Sequence, residues 1–126
     1  DGIQKELEEM QLFLESPYAA DQGNEVQARF DSLGIYMARS GKLKADAEFH
    51  FNQVVESSIF DLLKKSMEEK LSPSTLNKLV DAAARNYKFL LTWSDRVNRS
   101  LTHQYDGMRS VISNLRAEQQ AFGYGR

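Results

Sequence analysis

The sequence contains no cysteine. That excludes a disulfide framework, thiolate zinc and iron–sulfur sites and a thiol nucleophile, and it is compatible with a reducing compartment. Proline is almost as scarce, with Pro17 and Pro73 the two in 126 residues. Each lies beside a serine between apolar-periodic stretches, so the prolines punctuate long tracts that are otherwise free to be helical. Apolar runs last a few residues, against the roughly 20 needed to span a bilayer, so no membrane partner is expected. The acidic start is unlike a signal peptide, which points to a cytoplasmic protein, and the opening Asp1-Gly2 without Met suggests residues trimmed from before it.

Catalytic signatures are missing as well. Phosphate-cradling glycine loops, the nucleophile elbow and the His-Glu-x-x-His motif do not occur. The two histidines are His50 and His103. A di-iron bundle site needs Glu-x-x-His on two helices, and position 47, three before His50, is Ala. His103 with Asp106 suits a surface hydrogen bond better than a metal site. The neighbouring carboxylates Glu8-Glu9 and Glu68-Glu69 point apart on a helix and form no acid/base dyad. The expectation is a protein that is not an enzyme and uses no cofactor and no metal.

What is present is a 14.4 kDa chain with 41% apolar and 27% charged residues, the profile of one soluble globular domain over residues 1–126. Ile3, Leu7, Met10 and Leu14 alternate steps of four and three, the stripe of a short helix over about 2–15. Ser16 to Asn24 reads as a turn-rich loop, with Asn24 or Asp21 available as the next N-cap. From about 25 to 70, Val26, Phe30, Leu33, Met37, Ser40, Lys44, Ala47, Phe51, Val54, Ser58 and Leu62 keep steps of three or four, which predicts one long helix. Ser40-Gly41 is its weak point, either a bend or a close helix crossing. Ser72 caps a further start with Pro73 in the first turn. Leu76, Val80, Ala83, Tyr87, Leu90, Ser94, Val97, Leu101, Tyr105, Met108, Ile112 and Leu115 then hold a seven-residue period, with an interruption expected at Arg85-Asn86 that divides 73–84 from 86–121. Gly107 is a second weak point, and the chain after Phe122 reads as a frayed tail. No strand is expected. The fold class is therefore all-α: an elongated antiparallel hairpin or bundle of three to four helices with coiled-coil-like packing.

Two surfaces exceed what one hairpin can bury or neutralise. Phe49, Phe60, Leu63 and Met67 lie off the main stripe of the middle helix, so its C-terminal half is apolar on two sides. Either the first helix or the 73–84 helix covers them, or copies of the chain associate there into a homo-oligomer. The formal net charge of −2 is a cancellation. Residues 1–20 hold one basic group against five acidic, residues 21–71 seven against nine, and residues 72–126 eight against four. On the last helix Arg85, Lys88, Arg96, Arg99 and His103 share a face opposite the apolar stripe. Such a face is either solvated and paired with the acidic first helix, or it meets an acidic protein partner or nucleic acid. Asp81, Asp95 and Asp106 along its edge weaken the nucleic-acid reading, and Trp93 reads as a packing anchor before a base-stacking platform.

The stretches 33–42 (Leu-Gly-Ile-Tyr-Met-Ala-Arg-Ser-Gly-Lys) with Ala45-Asp46-Ala47, and 98–109 (Asn-Arg-Ser-Leu-Thr-His-Gln-Tyr-Asp-Gly-Met-Arg), together resemble small helical proteins of tailed phages and prophages of gut bacteria. The resemblance runs from the middle helix to Leu115. It implies a phage accessory or anti-defence factor in the bacterial cytoplasm, with Arg39, Asn98, Arg99, Thr102, His103 and Gln104 as the positions to test. The expected function is non-enzymatic binding of a macromolecule by occlusion or scaffolding. The alternatives are a nucleic-acid-binding protein of phage recombination or replication, and a sponge for a small nucleotide signal in which Arg99 and Tyr105 meet phosphate and base.

Overall fold

The computed structural model describes residues Gly2 to Tyr124, with side chains described through Ala121. It is all-α among these residues, with helices α1 (Gly2–Glu15), α2 (Gly23–Glu69) and α3 (Pro73–Tyr124). At 1.5 Å per residue, α2 and α3 are about 70 and 78 Å long.

Three boundaries differ from the sequence expectation. The 73–84 and 86–121 segments form one helix, because neither Arg85 nor Asn86 disrupts backbone hydrogen bonding and their side chains point to solvent. Helix α2 begins at Gly23 after Gln22, and no side chain caps it, so neither Asn24 nor Asp21 has the expected role. Glu25 instead turns back to accept the Ala19 amide at 2.9 Å. The chain stays helical through Tyr124, past the expected fraying at Phe122, while Gly125 and Arg126 lie outside the described residues. The break between the long helices does fall where serine and proline put it. Lys70 closes α2 in a left-handed conformation (φ 52°), its amide bonded to Ser66, and Ser72 Oγ accepts the Thr75 amide at 3.2 Å to start α3.

Helices α2 and α3 run antiparallel, as successive contacts show: Phe30 stacks on Tyr105, Ser40 meets Asn98, Lys44 meets Asp95 and His50 lies beside Tyr87. Helix α1 lies along the half of this pair that holds the start of α2. Glu6 meets Arg39, Phe13 meets Tyr36 and Gln11 meets Trp93. The core sits there. Leu7 and Met10 of α1 pack with Val26, Leu33, Leu43 and Ala47 of α2 and with Leu90, Val97, Leu101 and Met108 of α3. No residue between 48 and 83 is buried. The far end is a two-helix arm with no third helix against it.

Backbone hydrogen bonding is continuous through Gly41 and Gly107. At Gly41 the close crossing is the better account of the small residues, since Ser40 and Ala47 are fully buried against α3.

Candidate functional site

The candidate site must be separated from a polar network that holds the helices together. Arg29 belongs to that network. It is 6% exposed and, among the described residues, has no carboxylate partner. Its guanidinium donates to Gln104 Oε1 at 2.8 Å, Ser16 Oγ at 2.7 Å and the Leu14 carbonyl at 3.3 Å, and it lies 4.0 Å from the Phe13 ring centroid. Leu14 and Ser16 mark the C-terminus of α1, where the helix dipole is negative and carbonyls lack intrahelical donors. Arg29 therefore caps α1 and binds it to α2 and α3. Burial lowers its pKa, yet a guanidinium stays protonated at neutral pH.

Four of the six positions singled out by the phage resemblance belong to this framework. Arg39 makes a two-pronged bond to Glu6, both contacts at 2.8 Å. Asn98 donates to Ser40 Oγ at 2.9 Å and to the Met37 carbonyl at 3.3 Å. Thr102 Oγ1 donates to the Asn98 carbonyl at 2.8 Å, and Gln104 serves Arg29. Arg99 and His103 remain on the surface.

The expected basic face forms on the outside of α3, where Arg85, Lys88, Arg96, Arg99 and His103 are all exposed. Among the described residues no ion pair joins it to α1. The α1 carboxylate that pairs is Glu6, and its partner Arg39 is on α2. Among the described residues Arg85, Lys88 and Arg96 make no ion pair. Arg99 bonds Asp95 at 3.1 Å, and Asp95 is also held by Lys44 at 2.8 Å. These two cations keep the Asp95 carboxyl below its ordinary pKa, the Lys44 hydrogen bond contributing most. Of the three carboxylates along this face Asp95 is thus already balanced, whereas Asp81 and Asp106 are exposed and make no ion pair among the described residues.

Two recesses flank the face. One, of about 680 Å³, opens between α1 and α3 and is lined by Gln11, Leu14, Arg99, Ser100, His103 and Gln104. The other, about 340 Å³, is lined by Phe89, Thr92, Trp93 and Arg96. Trp93 is half-buried, its Nε1 donating to Gln11 at 3.3 Å, which makes it a packing anchor. Phe89 was not singled out by sequence. It is 58% exposed, its centroid 5.7 Å from that of Trp93. Helical spacing from Arg85 and Arg96 was the signal that could have found it. Tyr105 is half-buried and stacked on Phe30, their ring centroids 4.3 Å apart, while Arg99 is exposed. His103 and Asp106 make no hydrogen bond to each other, against expectation, and no group of three or more His, Asp or Glu among the described residues is placed to hold a metal.

The apolar surface of α2 is uncovered. Phe49, Phe60, Leu63 and Met67 are 59, 71, 51 and 86% exposed. Helix α1 lies along the other half and does not reach them, and the first turns of α3 reach Leu63, which borders a groove with Leu76, Asn77 and Val80, and leave the other three in solvent. No helix among the described residues is long and apolar enough to cross a membrane.

Comparison of the chain with protein-family models, curated proteins and solved structures finds no match.

Proposed function

We propose that this chain is a non-catalytic binding protein whose copies associate through the outer face of α2 and present the basic face of α3 to an anionic macromolecule. The observation that carries the reading is the arm over residues 48–83, which buries no residue and leaves large apolar groups in water. Phe49, Phe60, Leu63 and Met67 together expose on the order of 500 Å². That matches the largest patches of ordinary monomers, which are often functional. It is also a large share of the roughly 800 Å² each partner gives to a standard interface, and Ile59 and Leu79 on the same arm are 43 and 40% exposed.

A second copy is the occupant that suits this face, because the exposed Glu56 and Lys64, one turn to either side of Phe60, carry opposite charges that an antiparallel copy can pair. Packing arm on arm would convert two helices into four, with the seven-residue period of α3 continuing as coiled-coil-like packing of an elongated hairpin. Such an assembly works by scaffolding or occlusion. With the resemblance of 33–47 and 98–109 to phage-encoded helical proteins, we place it as an accessory or anti-defence factor in the host cytoplasm.

Sedimentation equilibrium tests the association. The wild type should sediment as a dimer or larger species at micromolar concentration, and the double variant Phe60→Glu, Met67→Glu as a helical monomer. A wild-type monomer throughout that range overturns the proposal.

A further inference from the structure

Resting on the reading of α3 as a partner-binding face, we infer that the partner is single-stranded nucleic acid, held by its phosphates on Arg85, Lys88, Arg96 and Arg99 and by a base stacked on Phe89. The face combines two features that seldom coincide on a solvated helix. One is charge. Residues 85–103 carry four basic side chains against the single Asp95, whose charge Lys44 already meets from α2. The other is an exposed aromatic ring set among those cations. Phe89 stands one turn after Arg85 and two turns before Arg96, and its free surface opens into the recess shared with Thr92, Trp93 and Arg96.

A ring with a cation on either side along one helix suits a ligand that repeats a planar π-face and a negative charge. Single strands present that repeat, because their bases are free to leave the stack and every base has a face. A duplex keeps its base faces hidden, so it could engage the cations alone. An acidic protein surface would match the charge and leave Phe89 idle. The exposed carboxylates Asp81 and Asp106 bound the track at its two ends. Between Arg85 and His103 it measures about 27 Å, which suits the short end of known single-strand sites, about four nucleotides. Association through α2 would place several tracks in one particle and lengthen the site.

The protein's single tryptophan, Trp93, lies against Phe89 and reports on it. The test is titration of the intact protein with fluorescein-labelled dT20 at 50 mM salt, following anisotropy and, with unlabelled dT20, Trp93 fluorescence. The dT20·dA20 duplex and poly-L-glutamate are the comparison ligands. The wild type should bind dT20 in preference to both, with a change in Trp93 emission. Phe89→Ala should weaken dT20 binding about 5-fold or more with the slope of affinity against salt unchanged, whereas Arg96→Gln should lower that slope by about 0.7. Circular dichroism checks that both variants keep their helicity. Equal affinity for duplex and single strand with no effect of Phe89→Ala overturns the inference, as does absence of dT20 binding. Binding of poly-L-glutamate but not dT20 removes the nucleic-acid partner and leaves the binding face standing. Failure of both polyanions removes the face itself.

Discussion

Asn98 of α3 donates from Nδ2 to Ser40 Oγ of α2 at 2.9 Å, in the middle of the three-helix section. The same amide reaches the Met37 carbonyl at 3.3 Å, and Ser40 Oγ itself donates to that carbonyl at 3.0 Å. A polar triangle thus sits within an otherwise apolar seam, where sliding either helix by one turn would strand its donors.

Asn98→Ala should therefore destabilise the fold by about 1–2 kcal/mol. Ser40→Ala should cost less, because Asn98 keeps the Met37 carbonyl. The double variant should cost less than the two single effects combined, since the residues share one network. Urea unfolding of the four proteins of this cycle checks it, and strict additivity would refute the coupling.

Arg29 tethers α1, and its loss should be felt locally as well as globally. Arg29→Met is expected to cost about 2–4 kcal/mol, in the range for breaking a buried network of charge-assisted hydrogen bonds. Arg29→Lys should not restore it, because an ammonium cannot serve Gln104, Ser16 and the Leu14 carbonyl as the planar fork does. Hydrogen exchange should show α1 amides losing protection before those of Leu33 or Leu101.

Acid should weaken the fold through carboxylates held in the charged form. The pKa values of Glu6, Asp46 and Asp95 are lowered, each chiefly by a hydrogen bond, from Arg39, Lys42 and Lys44 respectively. A depressed folded-state pKa contributes stability above the unfolded-state value that is lost as pH falls through the folded-state one. The melting temperature should thus be flat from pH 7 to about 5 and fall below about pH 4. Glu6→Gln should flatten part of that fall, and 0.5 M salt should shrink it, since these pairs lie near the surface.

Two glycines inside the long helices, Gly41 and Gly107, should be improvable. A methyl group at Gly107 would meet nothing within 4 Å, and one at Gly41 would just reach Asn98 Nδ2 at 4.0 Å. Gly107→Ala and Gly41→Ala should each stabilise by about 0.5–1 kcal/mol, through helix propensity and a less disordered unfolded chain. Thermal melts measure this directly.

Truncation of the apolar residues should separate the core from the arm. Leu101→Ala, at a fully buried position, is expected to cost about 2–5 kcal/mol at any protein concentration. Phe60→Ala should cost far less in dilute protein and show its effect at concentrations where copies associate.

What the sequence alone determined is whatever depends on near neighbours in the chain. Apolar steps of three and four specify helix without strand, Ser72-Pro73 specifies a stop and start, and the same spacing shows which residues share a face. The residues grouped in this way as a basic stripe and a surplus apolar face are all exposed. Arg85-Asn86 misled because two polar residues resemble a boundary, although a helix tolerates them wherever its outer side meets water.

Only the tertiary structure decided which face is covered, and by what. That α1 lies over the half of the hairpin built from the start of α2, leaving residues 48–83 without a third helix, follows from long-range packing that no local period encodes. The same packing buries Arg29 at the end of α1 and turns Asn98, Thr102 and Gln104 inward. It also leaves Phe89 in solvent between cations. Periodicity assigns a residue an angle around its helix, whereas burial depends on whether another element arrives at that angle.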